Sequence, residues 1–396
     1  MGHDAAPSST GTAPSSLLDP QGVDIGILGF DHVEFWVGNA LQAAAYYISR
    51  FGFQPYAYRS LETGSRAVMT QVIKNGNVVF ALSSPLEPNN KEFSDHLSRH
   101  GDGVRDVAFL VKDCVRAYDF AVKNGAKTYR PPTVMEDSHG TVIIATIEAC
   151  YSGTLHSFVE RAKYREGYFL PHYAPIVHHD DPLLSFAAMP EFVEIDHCVS
   201  NQADGMMEPV VRWYQQVLGF QRFWSVDDKQ VLTKYSSLRS VVVTDPSNKV
   251  KMPINEPATG LRKSQIEEFV QYYGGAGIQH IALRTNSVLD TVTRLRKRGV
   301  NFITVPGTYY EDLKKRLTMQ NSIQVAEDLT TVQKLGLLMD FDEQGYLLQI
   351  FTRPLQVRPT FFIEVLQRRS HDGFGVNNFK SLFEAIERDQ ALRGNL

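Results

Sequence analysis

Two sets of three side chains, at matched places in the two halves of the chain, have the types and spacing for metal chemistry. Phe30-Asp31-His32 opens an apolar run in the first half, and Ile195-Asp196-His197 opens one in the second. The stretch from Gly101 to Ala108 matches that from Gly275 to Ala282, and Phe158-Val159-Glu160 matches Phe362-Ile363-Glu364. The chain therefore reads as written twice. The second copy offers His197, His280 and Glu364, where the first offers His32, Asp106 and Glu160. Two imidazoles and one carboxylate on separate strands suit a non-haem iron(II) centre with open positions. Three free places on an octahedral ion accommodate a bidentate 2-oxo acid and dioxygen, so the reactants meet at one centre. Taken singly, either histidine is more readily a satisfied core residue than a ligand, and Glu364 could pair with Arg368. Their matched placement, one per repeated unit, favours the shared metal. The first-copy set reads as a vestige in which Arg105 pairs with Asp106.

Such a set needs elements that bring distant residues to one point. Alternate side chains of a strand face the same way, and His197 falls in the same alternating set as Val193 and Ile195. Charged and imidazole groups on apolar strands are costly unless paired or liganded. Helical spacing of apolar residues predicts helices over 40–51 and 208–218, each ending at Gly (Gly52, Gly219) before a strand. Further helices are predicted over 114–124 and 288–298. Each half then consists of two βαβββ units. The expected fold is α+β: two domains, each a curled half-barrel sheet on which equivalent inward positions converge. The expected boundaries are a disordered tail over 1–22, a first domain over 23–163 without a complete metal site, a Pro-rich linker over 164–190, and a catalytic domain over 191–396. A final amphipathic helix over 378–393, with Asn378 as its N-cap, has no counterpart in the first half and could cover the site.

Composition narrows the function classes. The chain has 396 residues, a net charge of −4 and three cysteines without paired spacing. No basic patch for nucleic acid and no apolar run of membrane-spanning length is evident. Cysteine usage makes a reducing cytosol the default. Other motifs are weaker. His96 and His100 have i, i+4 spacing but no accompanying Glu base. His178-His179-Asp180-Asp181 reads as solvated linker, Lys314-Lys315-Arg316 as an exposed helical face, and the glycines of Gly274-Gly275-Ala276-Gly277 precede a strand, so they offer phosphate no helix N-terminus.

Several longer motifs now carry a resemblance: Pro253-Ile254-Asn255-Glu256-Pro257, Lys263-Ser264-Gln265-Ile266, the run from Gly274 to Ala282, Gly345 to Thr352, Arg358 to Glu364, and Gly373-Phe374-Gly375-Val376-Asn377-Asn378-Phe379. From about Gly29 onward the chain resembles the 4-hydroxyphenylpyruvate dioxygenase family of the vicinal-oxygen-chelate superfamily. The resemblance implies one Fe(II) per chain on His197, His280 and Glu364. It implies substrate contacts from Ser240, Asn255, Gln265, Gln279 and Gln349, aromatic walls from Phe351, Phe362, Phe374 and Phe379, and a gate comprising Phe374, Gly375, Asn378, Phe379 and Leu382. The implied reaction is decarboxylation of 4-hydroxyphenylpyruvate, ring hydroxylation and side-chain migration to homogentisate, as in tyrosine catabolism. The small-molecule substrate and dioxygen are the expected partners, with no nucleic acid or membrane, in a cytoplasmic homo-oligomer (dimer or tetramer). A 4-hydroxymandelate synthase acting on the same substrate and a non-catalytic aromatic-acid binder of the same fold are the alternatives. An extradiol ring-cleaving enzyme would need a further basic His near these motifs, and none is evident.

Overall fold

The computed structural model describes residues 22–176, 185–226, 237–258, 260, 263–319 and 323–395. The expected tail falls almost wholly outside these residues, as does His178-His179-Asp180-Asp181. The first half places nine strands in the order Lys127–Asp137, Gly140–Glu148, Leu155–Tyr164, Gly103–Val111, Ile27–Trp36, Val78–Pro85, Val68–Asn75, Gln54–Arg59 and Ala174–Pro175. The second half places eight, in the order Gln221–Val226, Ser237–Thr244, Lys251–Ala258, Glu194–Asn201, Gly277–Arg284, Phe362–Arg369, Tyr346–Phe351 and Leu338–Phe341. In both sheets the first strands of two units pair antiparallel at the centre, and each pairs in parallel with the last strand of its own unit. This is the α+β arrangement of four βαβββ units expected from the repeat.

The helices form where sequence spacing puts them. Ala40–Phe51 buries Ala40, Ala44, Tyr47 and Phe51, starts at Asn39, whose side chain accepts from Gln42 N, and stops at Gly52 in the left-handed region (φ 70°). Met207–Leu218 buries one stripe and ends in the same way at Gly219 (φ 68°). Fully burying side chains of this size stabilises by roughly 1.5–3 kcal/mol each, so these stripes hold the helices on the sheets. One hydrophobic cluster runs through both halves. Polar contacts cross between them as well: Tyr214 bonds Tyr151 at 2.9 Å and His156 at 2.8 Å, and Arg50 donates to the Arg298 carbonyl at 2.6 Å. Arg298, fully buried, donates to the carbonyls of Ser49, Ala187 and Ala188, so the end of the inter-half segment is fastened to both halves.

Strand geometry corrects two readings and the start of the last helix a third. In the second sheet Phe362 lies beside His280 and Glu364 beside Ala282; in the first, Leu155 lies beside Asp106. The counterpart of Glu364 is therefore Ser157, three residues before Glu160. Glu160 instead accepts from Cys114 N at 2.9 Å, at the start of a helix, and its true counterpart Gln367 does the same for Val288 N at 2.9 Å. Nor does Arg105 pair with Asp106. Successive strand residues face opposite ways, so Arg105 reaches Glu92 at 2.7 Å while Asp106 accepts from the backbone N (3.0 Å) and hydroxyl of Ser157. Finally, the last helix spans Val376–Leu392 with Gly375 as its N-cap at φ 77°, and Asn378 sits inside the first turn. A left-handed cap residue favours Gly over Asn.

Candidate active site

Pairing of three strands sets the site. His197 lies opposite Ala282, and Glu364 lies beside Ala282 on its other side, so the three form a row across the sheet. His280, two residues from Ala282, shares that face. Ala282, in the middle of the row, contributes only a methyl group. Glu364 Oε2 stands 3.2 Å from His197 Nε2 and 3.4 Å from His280 Nε2. The ligand atoms of all three residues lie within 4.8 Å of one another, and all three side chains are buried. Among the described residues no other His, Cys, Asp or Glu cluster converges in this way.

A second layer fixes the imidazoles. His197 Nδ1 lies 2.7 Å from Asp196 Oδ1, and Arg368 grips both oxygens of Asp196 at 2.8 Å. Burial would raise the Asp196 pKa, but the Arg368 guanidinium outweighs it and holds the carboxyl well below the usual range. An ionised carboxylate only accepts, so Nδ1 carries the proton and the Nε2 lone pair faces the site. His280 Nδ1 similarly donates to Gln279 Oε1 at 2.9 Å, and Gln279 Nε2 donates to Gln265 Oε1 at 3.3 Å. Burial would also raise Glu364, yet His197 and His280 bring it to about 2. Burial lowers His280, while at His197 the hydrogen bonds and charges of Asp196 and Glu364 outweigh burial and raise it. Three buried acceptor atoms facing one another are stabilised by a cation between them. Two neutral imidazoles and an ionised carboxylate are a donor set that fits a divalent transition metal.

The triad borders a cavity that, together with its mouth, encloses about 520 Å³. Of the residues expected at the site, Ser240, Asn255, Gln265, Gln279, Phe351, Phe362 and Phe374 line it. Phe362 stacks on His280 (centroids 4.7 Å apart, 17° between planes), Phe351 meets the same ring edge-on at 6.0 Å, and Phe374 meets His197 edge-on at 5.2 Å. Gln349 does not line the cavity. It is buried with neither end of its amide hydrogen-bonded, and a Cβ on Gly375 would come within 2.5 Å of its Nε2. Asn378 is buried away from the cavity and accepts from the Tyr309 hydroxyl at 2.7 Å. The side chains of Phe379 and Leu382 lie outside the described residues. Sequence reasoning missed Val199, Leu238 and Val242 in the wall, and it missed the Asp196–Arg368 pair. The pair had a signal, because Asp-His occurs at both matched strands.

The fold and this site define a protein of the glyoxalase/bleomycin resistance protein/dioxygenase superfamily, whose family model matches residues 194–350. A second model, that of the N-terminal part of hydroxyphenylpyruvate dioxygenase, matches residues 22–167. The chain is 57% identical over 368 residues to the 4-hydroxyphenylpyruvate dioxygenase of Dictyostelium discoideum, covering 93% of this chain and 100% of that one. It is 53% identical over 371 residues to the enzyme of the same name from Yarrowia lipolytica, covering 93% of each. A solved structure of a 4-hydroxymandelate synthase mutant from Streptomyces coelicolor is similar at a TM-score of 0.79 and 26% identity, covering 92% of this chain and 99% of that one. The chain belongs to the 4-hydroxyphenylpyruvate dioxygenase family, and it is an oxidoreductase.

Proposed function

We propose that the chain converts 4-hydroxyphenylpyruvate and dioxygen to homogentisate and carbon dioxide, with a ferrous ion held by His197, His280 and Glu364. The observation that carries this reading is the convergence of those ligand atoms beside a cavity walled by neutral hydrogen-bonding side chains and phenylalanines. When bound, the ion supplies the Lewis acidity and redox chemistry that dioxygen requires. The remaining work falls to the chain. Ser240 and Asn255, opposite each other on paired strands, steer the polar ends of the substrate without competing for the metal. Gln265 and Gln279 hold His280 in one tautomer and complete that polar wall. The unpaired amide of Gln349 is a further contact reached through the gate segment. Phe351, Phe362 and Phe374 sandwich the aromatic ring and exclude water.

The helix Val376–Leu392, with Gly375, Asn378, Phe379 and Leu382, acts as the gate, and the second half is the catalytic domain. The first half lacks the ligand set and serves assembly into a homo-oligomer. No described helix is long and apolar enough to cross a membrane. All three cysteines are free, which supports a cytosolic setting. Oxygen uptake by iron-loaded protein on adding 4-hydroxyphenylpyruvate, with product identification by mass and chromatography, tests the reading. Homogentisate is the expected product. Hydroxymandelate as the main product would assign the chain to the synthase, and binding without uptake would make it an aromatic-acid binder.

A further inference from the structure

The first half-barrel holds its own cavity at the place equivalent to the active site. Cavity and mouth together enclose about 1120 Å³. Register gives the exchanges: Val199, His280, Glu364 and Phe351 of the second half become Glu34, Asp106, Ser157 and Thr146 in the first. Ser240 and Asn255 become Thr70 and Ser83. At these positions carboxylates and hydroxyls stand in the first half, while His32 keeps the place of His197 and Leu155 takes that of Phe362. Two matching relays result. Thr70 bonds Ser83 at 2.8 Å, and Ser83 donates to Glu34 at 2.6 Å. Thr146 bonds Ser157 at 2.8 Å, and Ser157 donates to Asp106. Both relays direct their hydroxyl protons at a carboxylate, so the floor presents acceptors to whatever enters.

Glu34 and Asp106 are directly opposed across the central antiparallel pair. Like charges in that arrangement destabilise the sheet, and burial with Glu34 nearby pushes Asp106 up to about 6. A metal is not the relief the residues offer, because the ligand atoms of His32, Glu34 and Asp106 do not converge as those of the triad do. A ligand ammonium group, with three donors and a charge, answers both carboxylates. Three further lining groups, Arg59, Arg105 and Arg130, have the opposite sign. Arg59 has a buried Nε without a hydrogen-bond partner and lies over the Tyr173 ring at 5.1 Å, and Arg130 also lines the cavity. Arg105 is spent on Glu92 and the Gly153 carbonyl and stacks on Trp36.

We propose that this cavity is a binding site for a free α-amino acid, its ammonium between Glu34 and Asp106 and its carboxylate toward Arg59 and Arg130. The aromatic rings of Trp36, Tyr129 and Tyr173 leave room for the side chain. The test is calorimetric titration of the iron-loaded enzyme with glycine, L-alanine, L-phenylalanine and L-lysine, and with propylamine and propionate as the single-charge halves. At least one amino acid is expected to bind, and to bind more tightly than either half. Glu34→Gln and, separately, Arg59→Gln are expected to weaken binding about tenfold or more, the scale of one hydrogen bond to a charged group. Glu364→Ala is expected to leave the binding intact, which places the ligand outside the metal site. Absence of binding by every amino acid at millimolar concentration would overturn the proposal. So would binding that Glu364→Ala abolishes, or that both Glu34→Gln and Arg59→Gln leave unchanged while circular dichroism shows them folded.

Discussion

The two half-barrels share a clamp but not a centre. In the second, Arg368 grips Asp196, Asp196 holds His197, and Phe374 lies against that histidine, while Arg368 also donates to the carbonyls of His371 and Gly373. In the first, Arg161 grips Asp31 with two bonds of 2.7 Å, Asp31 holds His32 at 2.6 Å, Phe169 lies edge-on to His32 at 5.1 Å, and Arg161 donates to the Phe169 carbonyl. Arg161 and Arg368 each stand four residues beyond the equivalent positions Ser157 and Glu364. The clamp survives where the ligand set is incomplete. It therefore has a duty of its own: it fastens the segment after the last strand of each half-barrel against the central histidine. In the second half that segment leads into the helix Val376–Leu392, so one buried ion pair orients a histidine of the triad and anchors the approach to the proposed gate.

The largest difference in behaviour is expected at the residue that differs most between the halves. Glu364→Ala should abolish metal binding and turnover while leaving the fold intact, since it trades a buried carboxylate for a methyl. Ser157→Ala, its counterpart, should leave metal content unchanged. Metal analysis of the two purified variants checks this, and loss of metal from Ser157→Ala would join the two halves in one site. The clamp comes next. Asp31→Asn and Asp196→Asn each strand a buried guanidinium, and breaking such a pair costs roughly 3–5 kcal/mol, measured by denaturant unfolding. Only Asp196→Asn should also weaken metal binding, by roughly 10–100-fold, because only its histidine belongs to the converging triad. Equal metal affinity in both variants would show that the clamp is purely structural.

These contrasts also show what was legible in the sequence. Periodicity placed the helices because each must bury one stripe, and the repeat placed His197 and His280 because their flanking residues match His32 and Asp106 in register, whereas the match offered for Glu364 was out of register. Register was not legible. Phe158-Val159-Glu160 imitates Phe362-Ile363-Glu364 in side-chain type, yet a strand's partner is set by pairing along its whole length, and that pairing puts Ser157 beside the site. Helix capping at Gly375 was hidden for a related reason. Asn378 has the chemistry of a cap, but the left-handed backbone needed to enter the helix falls at the glycine. Ion pairs between distant strands, such as Asp196 with Arg368, have no local signature, and only the repeated Asp-His hinted at one.

A smaller effect separates the halves by pH. Asp106 is raised to about 6 from an ordinary 3.8, so the folded state binds its proton more tightly than the unfolded chain. Below about pH 4 both states are protonated and the group costs nothing. As pH rises from there to about 6, stability falls, and above that the penalty stays near 3 kcal/mol from a shift of about two units. Asp106→Asn keeps an acceptor and a donor for Ser157 and removes the charge. It should match the parent near pH 4 and exceed it at pH 7–8, by chemical denaturation across that range. A variant less stable than the parent at pH 8 would mean that the carboxylate is paired with a cation there.

The smallest effect concerns the last helix, the proposed gate, which has no counterpart among the described residues of the first half. The Tyr309 hydroxyl donates to Asn378 Oδ1 and accepts from Met339 N, both at 2.7 Å, tying the first turn of the last helix to the strand Leu338–Phe341. Tyr309→Phe removes these bonds, and a longer one of 3.1 Å to the Met339 carbonyl, from a buried place and should cost roughly 1–3 kcal/mol of local stability. The metal ligands do not touch this hydroxyl, so metal content should not change. A gate that opens more often admits water, and the expected consequence is uncoupling: more oxygen consumed per homogentisate formed. Truncation before Asn378 should give the same uncoupling in stronger form. If both variants keep the parent's ratio of oxygen to product, the helix packs on the barrel without guarding the site, and the second half differs from the first in its ligands alone.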